Sequence, residues 1–157
     1  MAYSPFVPLR VFSSYTMLEG AIEPKAIAKA ARERGFPAIA ICDRNGLYGA
    51  MAFGDACKAA GVQPIVGALL SVARPGQRLA NGAPQIDWLA LYAQDAAGYG
   101  NLCALVSQAH LGRPVEMDPH VTLADMAGRT DGLICLTAGG EGALTRLLAG
   151  LERLLNK

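Results

Sequence analysis

Short apolar runs and helical patterns alternate along this chain, and that alternation constrains its fold more than any other feature. Five runs have the apolar character of buried strands: they span residues 6–12, 38–42, 63–73, 88–93 and 132–136. Most of the segments between them repeat apolar residues at helical spacing. Strands that alternate with helices are typical of βαβ units, so we predict an α/β fold with a mainly parallel sheet.

Capping residues define the ends of the predicted helices. Pro24 suits the first position of a helix that ends at Gly35, and a second helix covers residues 50–60 with Gly61 as its cap. Thr122 is a good N-cap, although Asp125 only partly imitates a capping box. The third and last helices are indicated by their apolar stripes, formed by Leu102, Leu105, Val106 and Ala109, and by Leu144, Leu147, Leu148, Leu151, Leu154 and Leu155. Residues 74–85 carry turn-forming pairs and are predicted to be a loop.

Composition limits the class of protein. A length of 157 residues suits one domain, and 52% hydrophobic with 17% charged residues excludes a disordered chain. A net charge of +1 lacks the basic excess of a stand-alone nucleic-acid binder. No apolar run approaches a membrane span and no signal peptide is expected. Four cysteines without a C-x-x-C pair indicate free buried thiols and a cytoplasmic location, with a zinc site or disulfides as the alternative.

The carboxyl ends of the strands are where such folds place functional residues. These ends fall at residues 10–14, 43–49, 69–71, 94–95 and 137–141. Asp43 opens the second of them, and it is either a metal ligand or general base, or a cap for the turn 43–46. The glycine-rich stretch 139–142 precedes a helix and is a weak anion-site signal.

Histidines are too few and too badly placed for a two-metal hydrolase, which needs several histidine and carboxylate ligands. His110 lies near a helix end, where its charge would interact with the helix dipole. His120 follows a proline in a loop and is expected to be solvated. The residues themselves therefore indicate a strand-end region depleted of catalytic groups.

Several stretches nevertheless resemble one family in order and at compatible spacing. They are FVPLRVFSSYTMLEGA (6–21), AICDRNGLYGA (40–50), GVQPIVG (61–67), YAQDAAGYGNL (92–102) and DGLICLT (131–137). Together they resemble the PHP (polymerase and histidinol phosphatase) domain at the start of bacterial DNA polymerase III alpha subunits. The resemblance covers nearly the whole chain.

The resemblance implies a distorted (β/α)7 barrel, of which residues 1–157 would be the N-terminal part of a much longer polymerase. In active members, histidines and acidic side chains at the strand ends hold Zn, Mn or Mg ions. Those ions support phosphoester hydrolysis, including 3′–5′ exonuclease proofreading. The polymerase itself would use Mg in a separate domain.

This sequence departs from the family pattern of metal ligands. The ligand positions of active members fall at Pro8, Arg10, Phe12, Asp43, Arg44, Leu69 and Trp88. Proline, phenylalanine, leucine and tryptophan cannot ligate these cations, and an arginine stays charged. Asp43 is the one retained ligand type. We therefore expect no bound metal and no catalytic residue, but a pseudo-site in which Asp43 pairs with Arg44 or Arg10.

The function implied by the resemblance is a non-catalytic PHP domain of a DNA-directed DNA polymerase, a nucleotidyltransferase of DNA replication. Its partners would be the rest of the alpha subunit and the proofreading exonuclease subunit, with DNA contacted only through the parent and no membrane contact. Two alternatives stay open. One is a residual metal-dependent phosphoesterase or 3′–5′ exonuclease, and the other is a free-standing binding protein.

Overall fold

An α/β architecture extends over residues 5–155, which a computed structural model of the chain describes, with side chains as far as residue 149. The strands are β1 (Ala38–Arg44), β2 (Gln63–Arg78), β3 (Pro84–Ala93) and β4 (Leu133–Leu136). The helices are α1 (Pro24–Glu33), α2 (Ala50–Ala60), α3 (Ala96–Leu111), α4 (Leu123–Met126) and α5 (Ala143–Leu155), and a 3-10 turn covers Gly139–Glu141. The predicted α/β class is confirmed.

The sheet is mixed, so the prediction of a mainly parallel sheet is wrong. Its order is β1-β2-β3-β4, with β1 and β2 parallel and the two other neighbouring pairs antiparallel. The cause is the segment 74–85, which was predicted to be a loop. Both β2 and β3 extend into this segment and form a hairpin. The residues left between them, 79–83, are too few for the crossover that parallel strands need.

The first apolar run, residues 6–12, is extended but is not a regular strand. It lies beside β1 in the same direction, because the amides of Ala40 and Cys42 donate to the carbonyls of Pro8 and Val11, each at 2.9 Å. Between these two hydrogen bonds the run advances by three residues while β1 advances by two, so the pairing is irregular. Pro8 also has no N–H, which prevents a continuous ladder.

Helices cover only one face of the sheet. On that face Ile39 and Ile41 pack with α1 and α2, and Leu70 and Leu91 pack with α3. The opposite face carries a cluster made of Ala40, Cys42, Leu69, Ala90 and Tyr92, with Phe12, Trp88 and Ala138 against it. This second face has no helix on it among the described residues, and the predicted site residues lie there.

The helix signals were informative. Pro24 is the first residue of α1, and Gly61 caps α2 in the left-handed conformation (φ 68°). The box at α4 is complete rather than partial: the Thr122 amide donates to Asp125 Oδ2 at 2.8 Å, and the Asp125 amide donates to Thr122 Oγ1 at 3.2 Å.

The predicted last helix is present as α5, and part of its apolar stripe is open to solvent. Leu144, Leu147 and Leu148 are exposed. The side chains of Leu151, Leu154 and Leu155 lie outside the described part. None of the helices in residues 5–155 combines the length and apolar character needed to cross a bilayer.

Candidate functional site

Five of the predicted site residues come together on the helix-free face of the sheet. The Arg10 and Arg44 guanidinium carbons lie 5.4 and 5.3 Å from the centroid of the Phe12 ring. The Arg44 carbon also lies 4.4 Å from the centroid of the Trp88 ring. Leu69 is fully buried and is the ladder partner of Arg44. Two cations thus stack on aromatic rings, an arrangement that is favourable without any metal.

Two glutamates that the sequence reasoning missed neutralise these arginines. Arg44 donates from Nε and Nη2 to the two carboxylate oxygens of Glu19 at 2.7 and 2.8 Å, and from Nη2 to Glu141 Oε1 at 2.7 Å. Arg10 forms an ion pair with the other oxygen of Glu141 and donates to the carbonyl of Ala138 at 3.2 Å. We call these four charged residues the Arg–Glu network.

The Arg–Glu network sums to zero charge, with two cations against two carboxylates. The hydrogen bonds from Arg44 hold the pKa of Glu19 below its ordinary value, so this carboxylate is ionised at neutral pH. Arg44 Nη1 is buried and has no hydrogen-bond partner among the residues that the structure describes.

Glu141 reaches the network from the glycine-rich stretch considered as an anion site. The backbone is left-handed at Ala138 (φ 56°) and at Gly139 (φ 59°), and the 3-10 turn of Gly139–Glu141 follows. This stretch supplies an anion to two arginines instead of binding one. The position of Glu141 at a strand end was a sequence signal for a functional residue, but the glycines around it favoured an anion site instead.

Asp43 faces away from the Arg–Glu network, which corrects the expected pairing with Arg44 or Arg10. Neighbouring strand residues point to opposite faces of a sheet, so Asp43 points to the helix-covered face while Arg44 does not. The buried carboxylate accepts from the amide and hydroxyl of Ser13 and from the hydroxyl of Thr16, each at 2.7 Å. It therefore organises the preceding loop rather than capping the turn after it.

The side-chain types at this face decide which ligands it could offer a metal. The side chains at its centre are two guanidinium groups, two aromatic rings and a leucine, and none of these is a ligand for Zn, Mn or Mg. Both nearby carboxylates are engaged by arginines. No cluster of three or more histidine, cysteine, aspartate or glutamate side chains suited to a metal occurs within the described part of the chain.

The two histidines lie elsewhere. His110, in the last turn of α3, has Nε2 2.8 Å from the carbonyl oxygen of Asn45. His120 is buried, which corrects the expectation of a solvated side chain. Its Nδ1 lies 2.8 Å from the Asp118 carbonyl oxygen, and Arg113 Nε donates to its Nε2 at 3.3 Å. Both rings brace loops, and His120 lines a cavity together with Arg44 and Trp88.

The sequence of this chain is similar to those of known proteins. The family model described as "PHP domain" matches residues 8–156. The DNA polymerase III subunit alpha of Caulobacter vibrioides is 40% identical over 149 residues, covering 92% of this chain and 13% of the relative. The error-prone DNA polymerase of Anaeromyxobacter sp. (strain K) is 38% identical over 157 residues, covering 94% of this chain and 13% of the relative. The chain thus spans about one eighth of the length of these relatives.

Solved structures resemble the chain in fold alone. An amidohydrolase from Chromobacterium violaceum superimposes with a TM-score of 0.52 and 20% identity, over 68% of this chain and 34% of that protein. A protein from Bifidobacterium adolescentis, assigned as a metal-dependent phosphoesterase, gives a TM-score of 0.52 with 13% identity over the same shares.

Proposed function

Because the chain belongs to the PHP domain family, we propose that it is the PHP domain of a bacterial DNA polymerase III alpha-type polymerase and is itself non-catalytic. The observation that carries the proposal is the Arg–Glu network, whose Arg10 and Arg44 occupy positions that the family resemblance assigns to metal ligands. The parent protein would be the DNA-directed DNA polymerase, with Mg used in its own catalytic domain. DNA would be contacted through that parent only, in the cytoplasm.

The role proposed for the domain is structural. The Arg–Glu network joins the N-terminal segment, the end of β1 and the turn after β4, and its partners are as many as 131 positions apart in sequence. Stacked on Phe12 and Trp88, the network can cross-link these segments as a bound metal would. A fixed strand-end region then offers a stable surface to the rest of the alpha subunit and to a proofreading exonuclease subunit.

The described elements are proposed to form part of a distorted seven-stranded barrel. Support comes from β4, which pairs with β3 alone among the described strands, and from Ile134 and Leu136, which are half exposed on the helix-free face. The exposed leucine stripe of α5 is further support, since a face of this kind is normally covered.

The decisive experiment is a titration of the purified protein with Mn²⁺ and Zn²⁺ by calorimetry, alongside an assay with a 3′-labelled primer. We expect neither stoichiometric binding at this face nor hydrolysis. The matched variants are Asp43→Asn, which removes the one retained ligand type, and Asp55→Asn, which removes an exposed carboxylate on α2.

A residual phosphoesterase is the second candidate, favoured by the retained Asp43 alone. It requires tight stoichiometric metal binding and primer hydrolysis that Asp43→Asn abolishes and Asp55→Asn leaves intact. That pattern would refute the non-catalytic assignment.

A further inference from the structure

In the loop of residues 13–20, between the N-terminal segment and α1, polar side chains are buried and large apolar side chains are exposed. Ser13 and Thr16 are buried. Met17 is 82% exposed, and Leu18 is as exposed as in an extended chain, at 105%. Large apolar side chains normally lie inside and hydroxyl side chains outside. The inverted order of this loop needs a cause.

Hydrogen bonds hold the loop in this inverted conformation. Asp43 accepts three of them from Ser13 and Thr16, as described above. The Thr16 carbonyl accepts from the amides of Glu19 and Gly20 at 3.2 and 2.8 Å. Any other residue in place of Gly20 would force the loop to rearrange, because its Cβ would lie 1.8 Å from the Ser13 carbonyl oxygen. The outward side chains are therefore displayed by a rigid support.

Leu18 is also strained. Its φ of 72° places it in the left-handed region, which is unfavourable for a residue with a Cβ. Glycine or asparagine would fit this conformation with less strain. Within the described residues Leu18 gains no packing in return, because its side chain is fully exposed.

Two further exposed apolar residues lie next to this loop. The rings of Tyr15 and Tyr48 have centroids 6.1 Å apart, and Met51 follows Tyr48 by three residues at the start of α2. Tyr48 is 61% and Met51 74% exposed. Together Tyr15, Met17, Leu18, Tyr48 and Met51 form what we call the Tyr15 patch. The neighbouring Glu19 pairs with Arg44, and clustered apolar exposure of this kind marks an interaction surface.

We propose that the Tyr15 patch is a permanent docking surface for another part of the same polypeptide, the polymerase region outside these 157 residues. The inference rests on the proposed function. Permanent interfaces are more apolar than transient ones, and a rigid surface loses little entropy on docking. The chain spans only 13% of the length of its relatives, so most of such a polypeptide lies outside the structure. Covalent linkage gives that region a high effective concentration at the patch.

Hydroxyl-radical footprinting of the full-length polymerase, read by mass spectrometry, tests this inference. Met17 and Met51 report on the patch, and Met117, which is exposed in the loop after α3, is the internal control. We expect Met17 and Met51 to lose labelling relative to Met117. That protection should not depend on polymerase concentration or on added subunits.

A substitution provides an independent readout. Leu18→Asn removes the apolar side chain while suiting the left-handed backbone, so a loss cannot be attributed to new strain. In the full-length polymerase we expect a lower unfolding temperature and recovered labelling at Met17. Leu111→Asn, at an exposed leucine that ends α3, is the matched control and should change neither.

Three labelling results would overturn the inference. Labelling of Met17 and Met51 well above that of Met117, in line with exposures of 82% and 74% against 37%, would mean that the patch is open. Protection only at high concentration would assign it to a second copy, and protection only with the exonuclease subunit would assign it to that partner. A natural gene product of 157 residues without primer extension would instead refute the proposed function and the inference with it.

Discussion

Asp43 shows how a single buried carboxylate can be retained for shape. Its oxygens accept three hydrogen bonds, all from the loop that precedes α1, and it lies on the opposite face of β1 from Arg44. A buried charge is costly unless its hydrogen bonds are satisfied, and here they are supplied by Ser13 and Thr16. The residue therefore has a structural use that needs no metal.

Substitution of Asp43 is expected to lower the free energy of unfolding in a graded way. Asp43→Ala leaves buried donors of Ser13 and Thr16 unsatisfied and should cost about 3 kcal/mol or more. Asp43→Asn keeps one acceptor oxygen and should cost about half as much. Urea unfolding measures both. Asp55→Ala, at an exposed position of α2, is the control and should stay within about 0.5 kcal/mol of the parent. Equal losses for Asn and Ala would contradict this account.

Among the elements, α4 depends most clearly on side chains at its own terminus. Thr122 and Asp125 cap it reciprocally, and Arg113 forms an ion pair with Asp125. The amide of Thr122, followed by its hydroxyl and Arg113, holds the pKa of Asp125 below its ordinary value of 3.8. A carboxylate whose pKa is lowered by folding stabilises the protein above that ordinary value, and the contribution is lost as pH falls through the folded pKa.

Removing this cap should change both stability and its pH dependence. Thr122→Ala is expected to lower the free energy of unfolding by about 1 kcal/mol at neutral pH. Asp125→Asn should lower it as well and flatten the acid limb of the stability curve below pH 3.8. Chemical unfolding over a pH series checks both. Thr130→Ala, in the exposed loop before β4, should match the parent throughout, and an unchanged acid limb in Asp125→Asn would rule out the ionised cap.

The helix ends were predictable from the sequence because Pro24, Gly61 and Thr122 act locally. The β2–β3 hairpin was not, because turn-forming pairs occur both in loops and in hairpins. The orientation of Asp43 was predicted wrongly because the predicted β1 was two residues too short. Ending β1 at Cys42 puts Asp43 and Arg44 together in a loop, whereas the observed end at Arg44 sends them to opposite faces.

The candidate site was predictable in part. The resemblance to PHP domains assigns Arg10, Phe12, Arg44, Leu69 and Trp88 to one site, and the structure brings these residues together. Glu19 could not be predicted, since it lies in an irregular loop whose direction depends on the buried bonds to Asp43. Glu141 needed the backbone geometry of Ala138 and Gly139, which no periodicity reports.

At the scale of the whole molecule, the two faces of the sheet are unequal. Helices α1, α2 and α3 cover one face. On the other face Ile134 and Leu136 of β4 are half exposed, and β4 forms an edge of the sheet with no further strand beside it among the described residues. An open edge with apolar side chains beside it invites pairing with another chain. The 157-residue chain on its own should therefore associate through β4.

Ile134→Lys tests this expectation at a position where a lysine can reach solvent. A charge that points inward from an edge strand opposes strand pairing between molecules. We expect sedimentation velocity to show concentration-dependent association of the isolated chain, reduced in Ile134→Lys. Leu111→Lys adds the same charge at an exposed residue ending α3 and should associate like the parent, which separates the effect of the edge from that of net charge. A parent chain that stays monomeric, or equal suppression by both lysines, would show that β4 is not the adhesive edge.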